Sequence, residues 1–397
     1  MIPLLDVPGA VAAIRDGGLV ALPTETVYGL GGDALNSAAV AKIFQAKGRP
    51  QFNPIICHLP DAEAVFRYGR KSRVAEALSQ FWPGPLTLLL PRLLPEQDQS
   101  QAGRVTDDVP APISNRIPSI VTAGSPFVGF RVPDHPLALE FLRACDTPIA
   151  APSANRSGRR SPTTAAMIQS DYADVDDLDA DINANAGAAM IAGILDGGPC
   201  DVGVESTVVA ILSEDPPLVR ILRPGGISRE QLESAGFRID DRAAAPAGGD
   251  DSKTADDTEK FLHAPGRLLR HYGPGVPLLL IDSQSTGLEA QAATPGEALA
   301  PAIDAALNAI NPDNLPLTWL GFAGRPAPVP VQCTIDLSPT GDFAGAARRL
   351  FAEFDRVAHA EPTVLIAETL PPRDLGVAVN DRLTRAASRT ISLPDEY

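Results

Sequence analysis

The chain has 397 residues, of which 44% are hydrophobic and 21% charged, a composition that indicates a globular protein long enough for two domains. Its net charge of −16 argues against tight, sequence-independent binding of nucleic acid, which normally depends on a cationic surface. Without a CxxC pair or the roughly 20 apolar residues of a membrane span, the sequence predicts a cytoplasmic protein that has neither a disulfide framework nor a membrane anchor.

Residues 19–58 form the segment on which the site prediction is based. The predicted elements of this segment are a buried strand at 19–22, a polar loop at 23–26, a glycine-rich turn at 28–32, a helix from 36 or 37 to 48, and a strand at 55–58. The loop and the strand ends carry hydroxyl, carboxylate, imidazole and cationic groups. Such groups at strand ends are typical of a ligand site in an α/β fold.

The next part of the chain continues the alternation of helices and strands. The predicted elements are a mostly helical stretch at 61–81, strands at 86–90 and 127–132, a helix at 137–144, and strands at 148–151, 203–212 and 218–222. Side chains of a strand alternate between faces, so Phe127 and Arg131 are expected opposite Val128 and Phe130. Two stretches show no periodicity. We interpret 92–119 as a surface excursion and 171–181, with its six aspartates, as a solvated acidic loop.

A second domain is predicted after a linker. Residues 242–258 lack large apolar side chains and are typical of a linker. The predicted elements beyond it are strands at 276–281, 317–322, 329–335 and 363–367, with helices at 296–309 and 343–359. The expected division is therefore 1–238, 239–275 and 276–397. The last part has the pattern of a small βαβ domain without a GxGxxG or P-loop motif, so a structural or gating role is the default expectation.

Each candidate residue also has a structural interpretation. Lys47 lies in the last turn of a predicted helix, where a lysine is favoured anyway, whereas Arg49 lies beyond the helix end. A histidine inside an apolar strand, such as His58, is more often a hydrogen-bonded core residue than a ligand contact. Glu25 could be a solvated carboxylate. Arg131 is harder to explain structurally, because arginine is rarely buried without a partner.

Several motifs resemble one family, the YrdC-type proteins in their long two-domain form, which are threonylcarbamoyl-adenylate synthases. The matching stretches are PTETVYGLG (23–31), KGRPQFNPIICH (47–58), VGFRVPDHP (128–136), APSANRSGRRSPTT (151–164), GVESTVV (203–209) and ILRPGGIS (221–228). The resemblance implies an α/β protein with a YrdC-like twisted mixed sheet and a concave cationic cleft, followed by a small Rossmann-like C-terminal domain. The segment from 239 to 275 would hold a flap motif.

The resemblance also implies a reaction, in which L-threonine, bicarbonate and ATP give threonylcarbamoyl-adenylate and diphosphate for the modification of tRNA. ATP would be a substrate, Mg²⁺ would accompany it, and a tRNA threonylcarbamoyl-transferase complex would act downstream. The motifs imply Lys47 and Arg49 as the catalytic cationic pair. The ATP contacts they imply are Arg49, Asn53, Phe127, Ser153, Ser161, Arg223 and His271. The threonine contacts they imply are Thr26, His58, Arg131, Ala151 and Ser206. No residue is implied as a metal ligand.

The flap motif departs from the family pattern. Pro265, Gly266, Arg270, His271 and Tyr272 match, but Arg267-Leu268-Leu269 replaces the usual Met-Lys-Tyr. Two other functions remain as alternatives, an RNA-binding module and a carbamoyltransferase of the hydrogenase-maturation type. The acidic net charge argues against the first, and the second normally carries zinc-finger cysteines that this sequence lacks.

Overall fold

Two β-sheets organise the protein in a computed structural model that describes residues 1–93, 117–173, 184–242, 272–282 and 299–392. The strands of the large sheet are β1 (Leu19–Leu22), β2 (Gly29–Asp33), β3 (Cys57–His58), β4 (Leu86–Pro91), β5 (Phe127–Arg131), β6 (Ile149–Ala150), β7 (Ile191–Ile194), β8 (Thr207–Glu214), β9 (Pro217–Arg223) and β10 (Arg238–Ile239). Their spatial order is β10-β9-β8-β4-β5-β3-β6-β2-β1-β7. Parallel pairs such as β4–β8 stand beside antiparallel pairs such as β4–β5, which confirms the predicted mixed sheet.

Short helices surround this sheet. They are α1 (Val7–Arg15), α2 (Ser37–Lys47), α3 (Ala62–Phe66), α4 (Arg73–Leu78), α5 (Ser119–Thr122), α6 (Pro136–Cys145), α7 (Ala165–Ala173), α8 (Ala184–Ala189) and α9 (Arg229–Ser234), with a 3-10 turn at Ser79–Phe81. Helix α2 has the predicted ends. The Asn36 side chain accepts hydrogen bonds from the amides of Ala38 and Ala39, and Gly48 ends the helix with a φ of 59°.

The second sheet is entirely parallel and confirms the predicted βαβ architecture. Its elements are β11 (Leu278–Ile281), α10 (Leu299–Ile310), β12 (Leu317–Gly321), β13 (Cys333–Asp336), α11 (Phe343–Ala358), β14 (Val364–Glu368), α12 (Gly376–Ala386) and β15 (Arg389–Ile391). The strand order is β13-β12-β14-β11-β15. None of the helices within the described ranges is both long and apolar enough to cross a membrane.

Several element predictions were wrong. Residues 29–33 form strand β2, which pairs with β1, instead of a turn. Glycine permits the close packing of this strand, since a Cβ at Gly31 would lie only 2.8 Å from side-chain atoms of both Leu22 and Ile149. The prediction that 61–81 is mostly helical is confirmed, because α3, α4 and the 3-10 turn make up most of the stretch. Strand β13 begins at Cys333, four residues later than predicted, and α7, β7, α12 and β15 were not predicted as elements.

Some predictions concern residues outside the described ranges. These are most of the excursion at 92–119, the acidic segment beyond residue 173, the linker at 242–258 and the flap motif before Tyr272. Asp171 is described, and the prediction of a solvated aspartate was wrong there. It lies buried in α7, where its carboxylate accepts a hydrogen bond from the Arg156 amide and pairs with Arg159 at 3.1 Å.

The two sheets share part of a hydrophobic core. Val27, from the loop between β1 and β2, and Val204, from the loop before β8, belong to the same apolar cluster as Leu350 and Phe351 of α11. The loops at the carboxyl end of β1 and the amino end of β8 are therefore held against the C-terminal domain. Both loops line the cavity of the candidate active site.

Candidate active site

An open cavity of about 550 Å³ lies where loops of the large sheet meet the C-terminal domain. Its lining residues are Thr24, Val27, Gly29, Arg49, Ile56, His58, Arg131, Ala151, Pro152, Ser153, Glu205, Ser206, Arg223 and Tyr272. Three arginines and one carboxylate are among them, so the wall carries excess positive charge. Such a cavity is suited to an anionic ligand.

Two of the arginines are fixed by backbone carbonyl groups. Arg49 donates through Nε to the carbonyl of Asn53 at 3.2 Å and through Nη2 to that of Pro54 at 2.8 Å. Arg223 donates through Nη2 to the carbonyl and the hydroxyl of Ser206, at 2.9 and 3.1 Å. Burial, with the charge of Arg223, lowers the pKa of Arg49 to about 10, which still leaves its guanidinium charged at neutral pH.

The third arginine, Arg131, is buried at the end of β5 beside a buried carboxylate. Its Nη2 lies 2.7 Å from Oε2 of Glu25, and its Nε donates to the carbonyl of Gly84 at 3.4 Å. Glu25 is 6% exposed, so the interpretation of a solvated carboxylate was wrong. Neither Glu25 oxygen has a well-directed hydrogen bond within the described residues, so this ion pair is close but not geometrically satisfied.

His58 is a buried, neutral histidine at the end of β3. Burial and the neighbouring Arg131 charge lower the pKa of His58 to about 3. Its Nδ1 has no hydrogen-bond partner in the part of the chain that the structure describes. The ring therefore offers an uncharged polar group to the cavity at neutral pH.

Lys47 contacts a turn rather than the cavity. Its Nζ donates to the carbonyl of Ser153 at 2.5 Å and to that of Asn155. Asn155 in turn donates to the carbonyls of Arg156 and Arg159, and so shapes the turn. Burial, together with Arg49, lowers the pKa of Lys47 to about 7. In this arrangement Lys47 supports the turn that presents Ser153.

Hydroxyl groups complete the polar wall. Thr24 faces the cavity, and its Oγ1 lies 2.8 Å from Oγ1 of the fully buried Thr26. Ser206 shares a 2.8 Å hydrogen bond with Thr87. Ser161 lies behind the wall and donates to Oε1 of Glu205 at 2.5 Å.

A second cavity of about 260 Å³ borders Pro54 and Ile55, which precede Ile56 of the large cavity in the sequence. It is lined by Pro54, Ile55, Leu89, Thr122, Ser125, Phe127, Val128 and Gly129. Phe127 is half-buried here, on the face of β5 opposite the core residues Val128 and Phe130, which confirms the predicted alternation. The adjacent Asn53 is buried, and its Nδ2 has no partner in the described structure.

Comparison with known proteins gives one consistent result. The profile of a family described as "Telomere recombination" (Sua5_yciO_yrdC) matches residues 12–225, and that of "Threonylcarbamoyl-AMP synthase, C-terminal domain" matches residues 227–388. A threonylcarbamoyl-AMP synthase of Pyrococcus abyssi is 33% identical over 385 residues, which span 96% of this chain and 94% of that protein. The chain belongs to the threonylcarbamoyl-AMP synthase family. It is accordingly an enzyme of that family.

One further relative and one solved structure support the assignment. The synthase of Bacillus subtilis is 40% identical over 275 residues, which cover 69% of this chain and 66% of that protein. The crystal structure of P. abyssi Sua5 complexed with L-threonine superposes with a TM-score of 0.70 at 32% identity and covers 97% of this chain and 96% of the other. The two-domain fold expected from the resemblance is thereby confirmed.

The structure gathers most of the residues that the synthase motifs imply. Seven of them line the large cavity: Arg49, His58, Arg131, Ala151, Ser153, Ser206 and Arg223. Lys47, Thr26 and Ser161 lie behind its wall, Phe127 lines the second cavity, and Asn53 precedes Pro54 of that cavity. His271 lies outside the described residues. The roles of all these residues stay predictions.

Several residues at or next to the cavity were not among the predicted contacts, and four of them are charged or aromatic. Glu25, Glu205 and Tyr272 stand within the matching motifs, next to residues that were assigned a role, so the motifs contained a signal for them. Arg382 lies in α12 of the C-terminal domain and pairs with Glu205 at 2.9 Å. No pattern in the sequence indicated it, because the contact depends on how the two domains pack.

Proposed function

We propose that this synthase-family chain forms L-threonylcarbamoyladenylate and diphosphate from L-threonine, bicarbonate and ATP, for threonylcarbamoyl-adenosine modification of tRNA. The observation that carries the proposal is a cavity lined by three arginines, a neutral histidine and hydroxyl groups. Full-length similarity to a Sua5 protein complexed with L-threonine supports threonine as one substrate.

The proposed threonine site lies around Arg131. A guanidinium matches the planar carboxylate of an amino acid with two parallel hydrogen bonds, and Arg131 lines the cavity. Neutral His58 and the hydroxyl of Ser206 would address the polar atoms of threonine. Ala151 is 5% exposed and would contact its methyl group, with Thr26 supporting the wall through Thr24.

The proposed ATP site extends from Arg49 and Arg223 toward the second cavity. These two guanidinium groups carry the positive charge that phosphates require, and Ser153 lines the same wall. Phe127 and Asn53 would contact the nucleoside part of ATP. Phe127 lines the second cavity, and the buried side-chain amide of Asn53 has no hydrogen-bond partner among the described residues. We assign Ser161 and His271 to the same substrate, and Lys47 to the phosphates or to the turn that meets them.

The proposed chemistry requires positioning and charge neutralisation. The threonine amine and bicarbonate form a carbamate with loss of water. A carbamate oxygen then forms a bond to the α-phosphorus of ATP as the bond from that phosphorus to the bridging oxygen breaks, and diphosphate leaves with the electron pair. Arginines fixed before the reaction stabilise the charge that develops, and no protein nucleophile is needed.

Magnesium would arrive with ATP as part of the substrate. Among the described residues no three or more His, Cys, Asp or Glu side chains gather into a possible metal site. We propose that phosphate oxygens and water hold most of this ion, which is the usual state of Mg²⁺ in nucleotide complexes. We expect the adenylate to pass to a tRNA threonylcarbamoyl-transferase complex, without tight nucleic-acid binding by this acidic chain.

An omission assay tests the proposal. Diphosphate release should require ATP, threonine and bicarbonate together, and leaving out any one should reduce it to background. Serine and valine serve as matched amino-acid controls, since each lacks one feature of threonine. Release that ignores threonine while carbamoyl phosphate is consumed would contradict the proposal and favour a carbamoyltransferase.

A further inference from the structure

The C-terminal domain contacts residues of the large cavity's wall through the side chain of Arg382. Arg382 of α12 is fully buried, and its Nε donates to Oε2 of Glu205 at 2.9 Å across 177 positions of sequence. Its Nη1 donates to the carbonyl of Pro224 at 2.8 Å. Its guanidinium also lies 5.3 Å from the ring centre of Tyr272, so one residue contacts three segments that border the cavity.

Glu205 is the one carboxylate among the described residues that line the cavity. Its Oε1 accepts a hydrogen bond from Ser161, and its Oε2 pairs with Arg382. Burial alone would raise the pKa of Glu205, but the charges of Arg382 and Arg223 and the Ser161 hydroxyl outweigh burial and lower it to about 2. The carboxylate is therefore charged in a cavity suited to anions.

A charged carboxylate in this cavity needs to be neutralised by a cation that does not also bind the substrate. Without Arg382, Glu205 would attract the neighbouring Arg223, the guanidinium proposed to meet the nucleotide, and would repel phosphate. The loop carrying Glu205 is also fixed from the same side. Gly203 has a φ of 79°, and a Cβ there would lie 2.4 Å from Cα of Arg348 in α11, so the loop packs directly on the C-terminal domain.

We propose that Arg382 is a positioning residue through which the C-terminal domain neutralises and orients Glu205, so that Arg223 keeps its charge directed to an anionic substrate. This inference rests on the proposed function. It gives the C-terminal domain a role in substrate binding, where the sequence suggested only a structural or gating one. Arg382 itself does not line the cavity and acts through Glu205.

Three variants test the inference by diphosphate release. Arg382→Met should raise the KM for ATP about tenfold and the KM for threonine less, because the change acts on Arg223. Arg356→Met is the control, since Arg356 lies on α11 of the same domain, is exposed and pairs with Glu353 at 2.7 Å, and it should stay within about twofold of wild type. Arg385 is unsuitable as a control, because its partner Asp381 also pairs with Arg382. Adding Glu205→Gln to Arg382→Met should recover most of the ATP affinity.

Two results would overturn the inference: Arg382→Met behaving like Arg356→Met, or Glu205→Gln failing to restore ATP affinity in the Arg382→Met background. If Arg382→Met does not fold, Glu205→Gln is compared with the double variant, which lacks both charges. Equal KM values for ATP support the inference, and a further loss of about tenfold contradicts it. If the wild-type protein showed no threonine-dependent release of diphosphate, the proposed function would be refuted instead. Calorimetric measurement of ATP binding by the same variants would still give the coupling between Arg382 and Glu205.

Discussion

Replacing Arg131 with alanine separates the two tasks that the structure gives this side chain. Arg131 pairs with buried Glu25 at 2.7 Å and also faces the cavity, where we place the carboxylate of threonine. Charge-assisted hydrogen bonds are worth about 1.5–3 kcal/mol each, so losing the anchor should raise the KM for threonine by roughly a hundredfold. The KM for ATP should change far less, because Arg49 and Arg223 remain.

The same substitution should also destabilise the fold. It leaves Glu25, with 6% exposure, as a buried carboxylate without its cation, at a cost of about 3–5 kcal/mol. Glu25→Gln combined with Arg131→Ala removes that charge, so stability against urea should recover while the KM for threonine stays high. Steady-state diphosphate release measures the KM values. Equal increases for threonine and ATP, or recovery of the threonine KM in the double variant, would refute the assignment.

Three further predictions concern the neighbouring groups. Arg49→Ala and Lys47→Ala should each lower turnover well over tenfold if the two side chains neutralise phosphate charge. Turnover is measured as diphosphate release at saturating threonine. A near wild-type rate for Lys47→Ala would leave Lys47 only its role in the turn. The His58 imidazole should show no titration by NMR between about pH 5 and 8, whereas a midpoint near its ordinary value would contradict a buried neutral ring. The depressed pKa of Glu205 should stabilise the protein above about pH 4.5 and lose that contribution, about 3 kcal/mol, as the pH falls toward 2. Urea unfolding of Glu205→Gln should show a flatter acid limb, and an unchanged limb would argue against the Arg382 ion pair.

Local signals predicted much of the large-sheet domain. Helix α2 was predicted because Asn36, which caps its amino end, and Gly48, which ends it, stand directly beside the helix in the sequence. The alternation along β5 placed Phe127 and Arg131 correctly because the period of a strand is fixed by its backbone. The motifs then named seven residues that share one cavity wall.

The failures have a common physical origin in contacts between distant segments. Gly31 lies in a strand at a position where Leu22 and Ile149 leave no room for a side chain. Neither of these neighbours is adjacent to Gly31 in sequence. Asp171 is buried because Arg156 and Arg159 approach it. The pairing of Arg382 with Glu205 likewise exists only after both domains have folded together.

The central claim is that threonine, bicarbonate and ATP become joined in one adenylate. Mass spectrometry of a reaction containing ¹³C-bicarbonate tests this most directly, with unlabelled bicarbonate as the control. We predict a threonylcarbamoyl-adenylate whose mass carries the single ¹³C, formed together with diphosphate and absent when threonine is left out. Formation of AMP and diphosphate with no labelled adenylate, or of a labelled product that lacks threonine, would contradict the proposed function.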